Sequence, residues 1–385
     1  MQTKRALVCA PRMPEYDREG GSRRLFHFLE FFQRAGWSVS FAAESSRGGE
    51  RYARGLQQKS IPTYALKHTE STDDEALVNF EQLIGAVPFD LVLFAFWYCA
   101  ERYLPLVRNL SPQSIVVVDS VDVQFLRESR RVFSDFGRNG QPQALDSEYA
   151  RQTMRELNTY ATADAVLTVS QKEADLINDL VVRQVAFSIP DMEDADVSKL
   201  PLQQRSGMLF VGNFRHAPNV QAVEYLCKEI VPKVSREVLR KHPVYIVGTD
   251  PDETVIRCCR ETEGVQLVGW VPSVLPYLQR ARISVIPLLY GAGTKRKLMQ
   301  SMMVGTPCVS TSIGVEGFNL EDGVHVLVGD DATTFASSIV RLLEKDDLWA
   351  GLAERGRSFV DAAHGRDAVF ARFNTVFEDI RKNTF

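Results

Sequence analysis

Several features that would narrow the function of a 385-residue chain are absent from this one. The six cysteines are scattered, with Cys258 and Cys259 adjacent and no C-x-x-C pair. That removes a zinc ribbon and a disulfide framework, and it favours a reducing compartment. Positive charge is not in excess: the formal net charge is −4. A protein that binds nucleic acid mainly through its phosphates is thereby disfavoured, although a local basic pocket is not. The most apolar run, Leu91 to Ala100, is far too short to cross a bilayer. Lys4 and Arg5 precede only a brief apolar stretch, so the start reads as a first strand rather than a signal peptide. G-x-G-x-x-G spacing is missing, so the glycines do not form a dinucleotide fingerprint. An Asp-x-Asp element placed after a strand to hold a metal is also missing.

What is present is alternation. Apolar runs with strand character include Ala6 to Ala10, Trp37 to Ala42, Asp90 to Phe96, Ser114 to Asp119 and Ala165 to Ser170. Between them lie helical patterns at Leu25 to Ala35, Ser147 to Thr162 and Gln171 to Leu180. The segment 190–201 interrupts this pattern with Asp191, Glu193, Asp194 and Asp196 between two prolines, and reads as a linker. Alternation then restarts. Strands are expected at Gly207 to Val211, Val244 to Val247, Val265 to Val268, Ile283 to Leu288, Cys308 to Thr311 and Val324 to Val328. Helices are expected at Asn219 to Ile230, with Asn219 as cap, at Leu275 to Arg280, at Leu298 to Val304, and from Ala332 onward. This pattern predicts two doubly wound α/β domains in tandem. The expected boundaries are 1–190, a linker at 191–201, a second domain at 202–365, and a last helix at 366–385.

One segment carries chemistry. Gly291, Ala292, Gly293, Thr294, Lys295, Arg296 and Lys297 stand where a strand hands over to a helix. Converging backbone N–H groups, the positive end of the helix dipole and the lysines suit a phosphate. Lys295 and Lys297, with the N–H groups near Gly293 and Thr294, can neutralise the charge of a bound phosphate. A second glycine pair, Gly20-Gly21-Ser22, opens the first helix just after the first strand.

The order Phe210-Val211-Gly212-Asn213-Phe214-Arg215-His216-Ala217-Pro218-Asn219, then Gly291 to Lys297, then Gly305-Thr306-Pro307-Cys308-Val309-Ser310-Thr311, then Ile313-Gly314-Val315-Glu316-Gly317, resembles the GT-B glycosyltransferases, and among them the retaining family-4-like group. In the first half, Asp119 to Glu128 resembles that group's D-x-H-x-x-R segment. The resemblance covers nearly the whole chain. It implies two Rossmann-like domains facing a cleft, a last helix crossing back to the N-terminal domain, a nucleotide-diphosphate sugar in the second domain and the acceptor in the first. It also implies a metal-independent transferase with no cofactor, serving surface polysaccharide or glycoconjugate synthesis.

By the same resemblance Gly212, Asn213, Gly291, Gly293, Thr294, Lys297, Gln300 and Glu316 bind the donor, with Gln300 at the ribose and Glu316 at the sugar. Lys295, Arg215 and Gln124 serve catalysis, and Gly20, Gly21 and Ser22 approach the donor phosphate or the acceptor. The implied acceptor is a carbohydrate or lipid-linked hydroxyl. The implied location is cytoplasmic, with contact at the inner membrane face left open, as are the donor base, the sugar and the oligomeric state.

Two positions depart from the group. Gln124 replaces the histidine, and the paired glutamates fall on Ala292 and Gln300. Gln124 cannot carry a proton, but in retaining transfer the leaving phosphate can accept it. Gln300 offers the ribose only a neutral hydrogen bond, so weaker nucleotide binding is expected. The departures also leave open a catalytically inactive binding or scaffold protein on the same fold. An epimerase of similar architecture would need an acid–base pair that the sequence does not offer.

Overall fold

The structure is a computed structural model that describes residues 3–45, 47–66, 78–129, 147–194, 197–291 and 294–384. The chain forms two compact units. One takes the chain through Met192 together with Val369 onward, and the other spans Glu193–Ala368.

The first unit is built on a seven-stranded parallel sheet of order β3-β2-β1-β4-β5-β6-β7. Its strands are β1 (Arg5–Arg12), β2 (Ser38–Ser45), β3 (Thr63–Ala65), β4 (Leu91–Ala95), β5 (Ile115–Asp119), β6 (Ala165–Thr168) and β7 (Ala186–Ser188). Both faces are covered, so the strands read as continuous apolar runs. Successive β1 residues serve opposite faces: Ala6 and Val8 pack with the helix Gly20–Arg34, and Leu7 and Cys9 pack with the helices that follow β3 and β4.

The last helix, Arg366–Thr384, completes the first face of this unit. Its Val369, Phe373, Val376, Phe377 and Ile380 recur at helical spacing and are buried among Phe28, Phe31 and Phe32. The Phe373 ring stands 5.0 Å from that of Phe32, edge-on, and Arg34 lies 3.9 Å over Phe370. Each fully buried side chain of this size contributes ~1.5–3 kcal/mol, which fixes the tail of the chain to the unit its beginning forms.

The second unit holds a six-stranded parallel sheet of order β10-β9-β8-β11-β12-β13. Its strands are β8 (Met208–Asn213), β9 (Val244–Thr249), β10 (Val265–Gly269), β11 (Ile283–Ile286), β12 (Cys308–Ser310) and β13 (Leu327–Val328). In both sheets the order reverses beside the first strand of the unit, between β1 and β4 and between β8 and β11. Such a switch point opens a crevice at the carboxyl ends of the strands, where ligands of this architecture bind. Two Rossmann-like doubly wound units with the terminal helix in the first constitute the GT-B fold expected from the sequence.

Local differences from the expectation have physical reasons. The first helix begins at Gly20 rather than Leu25, so Gly20, Gly21 and Ser22 form its first turn. A Cβ on Gly21 would stand 2.9 Å from Val121 Cγ1, so a glycine is needed there. Gly212 and Asn213 complete β8 instead of opening a loop, because they pair with Gly248 and Thr249 of β9. Asn219 is not a cap. The helix Ala217–Tyr225 starts after His216, and the side chain of Asn219 is engaged elsewhere. Beyond Tyr225 the helix widens to a π-helical turn, Leu226–Ile230. The last strand is short, Leu327–Val328. The helices Glu50–Gln58, Phe80–Ala86 and Trp97–Leu110 and strand β3 were not anticipated.

Candidate active site

In the second unit the switch point is flanked by the end of β8 and the loop after β11. The helix Arg296–Met303 starts in that loop with Lys295 at its cap position. Asn219 ties the two sides together. Its amide Nδ2 donates to the Asn213 carbonyl at 2.7 Å, and its Oδ1 accepts from Lys297 Nζ at 2.6 Å. Because an ammonium only donates, the orientation of the Asn219 amide is fixed. Lys297 Nζ also lies 4.3 Å over the Phe210 ring, a cation–π contact from the core strand below.

No carboxylate pairs with Lys297 among the described residues. Burial, and then repulsion from Lys295, push its pKa down to about 7. Lys295 is itself 7% exposed. Arg296, between them, turns away to Glu193 at 3.0 Å. The result is two lysines at a helix N-terminus, one of them without a counter-charge, which is the electrostatic form of an anion site.

The other predicted donor residues distribute as follows. Gly291 is buried with φ +145°, a conformation side chains rarely adopt, and a Cβ there would stand 3.8 Å from Lys295 Cε. Thr294 is half-buried in the same loop. Gly293, like Ala292, lies outside the described residues. Gly212 packs against Phe210 and Asn219, and its carbonyl approaches Gly248 so closely that a Cβ on Gly248 would stand 1.6 Å away. Gln300 is half-buried, one turn along the helix from Lys297. Glu316 follows a one-turn helix, Ser312–Val315, at the end of β12. That turn is pinned by Thr311, whose hydroxyl donates to Leu288 O at 2.5 Å and accepts from Gly314 N.

Arg215 is not drawn to the lysines. Its backbone N–H donates to Asn213 Oδ1 at 3.0 Å, while its exposed guanidinium pairs with Asp250 at 2.9 Å.

In the first unit, Gln124 sits just past the end of β5. Its Oε1 accepts from the Trp97 indole N–H at 2.9 Å, so its amide N–H₂ is the end left to donate. Its backbone N–H donates to Glu156 Oε1, and that of Phe125 donates to Glu156 Oε2, both at 2.9 Å. Burial pushes the Glu156 carboxyl up to about 7 despite these bonds. Gly20 and Gly21 open the helix that carries Arg24, a buried cation. Arg24 Nε lies 3.0 Å from both oxygens of Asp119, and its Nη1 donates to Ile189 O at 2.7 Å. Ser22 Oγ reaches Glu19 at 3.4 Å and does not cap the helix.

The sequence marks none of Trp97, Glu156 and Arg24, includes Phe210 only within a motif, and offers Asn219 as a helix cap rather than as the partner of Lys297. Only the F-V-G-N…N spacing pointed toward Asn219. The partners of the others are distant in the chain.

The family described as "Glycosyl transferases group 1" matches residues 205–345, the greater part of the second unit. A curated relative, N-acetyl-alpha-D-glucosaminyl L-malate synthase of Bacillus anthracis, is 22% identical over 182 residues. That alignment takes 46% of each chain, so the chain matches about half the length of this relative. Among solved structures, sucrose-phosphate synthase of Thermosynechococcus elongatus superposes with a TM-score of 0.70 at 17% identity, covering 99% of this chain and 100% of that one. TarM superposes at 0.74 with 10% identity, covering 98% of this chain and 99% of that one. HepE of Anabaena, solved with UDP and glucose, gives 0.68 at 12%, covering 97% and 99%. Residues 205–345 of the second unit match the group 1 glycosyltransferase domain, and the whole chain shares the two-domain fold of these structures.

Proposed function

We propose that this protein is a retaining, metal-independent glycosyltransferase. It moves a sugar from a nucleotide-diphosphate sugar to a hydroxyl of a carbohydrate or lipid-linked acceptor, in surface polysaccharide or glycoconjugate synthesis. The observation that carries this reading is Lys297: a cation beside a second lysine, at a helix N-terminus and a sheet switch point, anchored by Asn219 and, among the described residues, lacking a carboxylate partner. A diphosphate supplies the missing negative charge.

In the reaction the bond between the anomeric carbon and the phosphate oxygen breaks, and charge accumulates on the leaving diphosphate. Lys295, Lys297 and the N–H groups around Thr294 stabilise it, each such donor contributing ~3 kcal/mol. The departing phosphate oxygen takes the proton of the attacking hydroxyl, so no side-chain base is required and Gln124 can stand where the group has a histidine. With its oxygen held by Trp97, Gln124 donates its amide hydrogens to a sugar oxygen. Gln300 accepts from the ribose, Glu316 accepts from the sugar hydroxyls, and Arg215 serves the outer edge of the diphosphate. The acceptor belongs to the first unit, near Gly20 and Gly21.

HepE and a TarM variant were solved with UDP, which makes UDP the first probe. The test is calorimetric titration with UDP, GDP, ADP and TDP, together with donor turnover for the matching nucleotide sugars. Binding of one diphosphate, abolished by Lys297→Met, and turnover of its sugar are expected. The glutamines at 124 and 300 favour a second reading, a binding protein on the transferase fold. Diphosphate binding without turnover over the whole donor panel would establish that instead. Among the described residues no helix is long and apolar enough to cross a membrane.

A further inference from the structure

The switch point of the first sheet, between β1 and β4, is occupied by an aromatic pair. Phe96 follows β4, at the cap position of the helix Trp97–Leu110, and Tyr98 lies in that helix's first turn. Their rings are stacked, 5.4 Å between centroids and 12° between planes, and Trp97 meets Tyr98 edge-on at 5.8 Å. Tyr98 is 37% exposed, and its hydroxyl has no hydrogen-bond partner among the described residues.

The backbone makes this arrangement deliberate. Phe96 has φ +70° and ψ 143°, and Val121, just beyond the end of the neighbouring strand β5, has φ +61°. Bulky and β-branched residues are rarely found there, and glycine would adopt either conformation without strain. Such strain persists where the surroundings over-determine it, commonly at ligand sites. Phe96 is held by its N–H, which donates to Asp119 O at 2.8 Å. Gly21 lies on the other side: a Cβ there would be in ordinary contact with Phe96 Cζ at 3.7 Å but would strike Val121 Cγ1 at 2.9 Å. The strain therefore keeps an aromatic ring at the mouth of the crevice where glycine would be easier.

Charged groups lie in the neighbourhood of Tyr98. Arg12, Glu44 and Asp122 are the charged groups that act on Tyr98, and Arg102 holds Glu44 at 2.7 Å. The Gln124 amide N–H₂ belongs to the same end of the sheet, tied to Trp97. A flat, electron-rich face with an amide donor at the same end of the sheet matches one class of small molecule well. A pyranose presents axial C–H groups on one face and hydroxyls around its edge.

We propose that the Phe96–Tyr98 pair is the stacking platform for a pyranose ring of the acceptor, so that the acceptor is a glycan or a glycan-bearing lipid rather than a bare alcohol. This rests on the transferase reading for the word acceptor, but the binding it requires does not depend on donor chemistry. Tyr98 is the specificity-determining ring and Phe96 fixes its plane.

The test is saturation-transfer NMR on the full chain with methyl glycosides of glucose, galactose, mannose and N-acetylglucosamine. UDP titration and thermal unfolding are run in parallel on the same samples. At least one glycoside should receive saturation at its ring C–H protons. That transfer should fall at least five-fold in Tyr98→Leu and in Phe96→Gly, and survive in Tyr98→Phe. Tyr98→Leu keeps the apolar bulk, and an unchanged unfolding midpoint shows that it folds. Transfer that persists in Tyr98→Leu, or no transfer from any glycoside, overturns the proposal. UDP binding without glycoside binding would defeat the platform and leave the transferase reading standing. Glycoside binding through Tyr98 without binding of any nucleoside diphosphate would do the reverse.

Discussion

Lys297 Nζ and Asn219 Oδ1 lie 2.6 Å apart, joining the helix after β11 to the helix after β8 across the switch point of the second sheet. Asn219 thus serves as a fixed neutral partner that orients a lysine without neutralising it. Asn219→Leu removes that anchor and the bond to the Asn213 carbonyl together. A loss of diphosphate affinity of about ten-fold, the ~1.5 kcal/mol of a hydrogen bond to a charged group, is expected by calorimetry. Asn219→Asp should weaken binding further, because a carboxylate supplies the counter-charge that the ligand otherwise provides.

Lys297 also makes binding depend on pH. Its pKa is lowered from 10.5 to about 7 by burial and by Lys295, and a bound diphosphate favours the charged form and raises it again. Binding near pH 8 should therefore take up a proton, seen as a dependence of the calorimetric enthalpy on buffer ionisation. Affinity should decline as pH rises above about 7. The effect on stability has the opposite sign. Between about 7 and 10.5 the unfolded chain binds the proton that the folded chain lacks, so this group's contribution to stability rises with pH through that window. Lys297→Met, which abolishes binding, should also remove this pH dependence of stability.

Gln300 is half-buried, one turn along the same helix. If it faces the ribose, Gln300→Glu replaces a neutral hydrogen bond with a charge-assisted one. Affinity for the diphosphate nucleoside should rise about five-fold, the ~1 kcal/mol between the two kinds of bond. Unchanged affinity would remove Gln300 from the ribose site.

Arg24 and Asp119 form a buried ion pair, 2% and 0% exposed at their side chains. Burial raises the Asp119 pKa even against the attraction of Arg24. Asp119→Asn leaves the guanidinium with Asp191 and the Ile189 carbonyl and should cost ~3–5 kcal/mol. Denaturant unfolding would measure it. Arg24→Met with Asp119→Leu, which removes both charges, should recover most of that loss.

What could be read from the sequence followed from periodicity and from motifs within one segment. The acidic break near Asp191, the strand runs beside it and the strand–glycine–lysine–helix hand-over at Lys295 were visible because each signal is local. Trp97–Leu110 was hidden because β4 passes into it at Phe96 with no glycine or polar cap to mark the turn; the backbone takes a strained conformation instead. Asn219 was taken for a cap because its place after Pro218 suits one, whereas its partner Lys297 is 78 residues away. Glu156 gave no signal at all. Its task is to accept the N–H groups of Gln124 and Phe125, and such contacts exist only once the sheet has assembled.

The most direct test of the central claim is a crystal structure of the protein soaked with the nucleoside diphosphate it binds best. The account predicts phosphate oxygens within hydrogen-bonding distance of Lys295 and Lys297, at the start of the helix Arg296–Met303. Density for the diphosphate at any other place, with the two lysines bare, would contradict it.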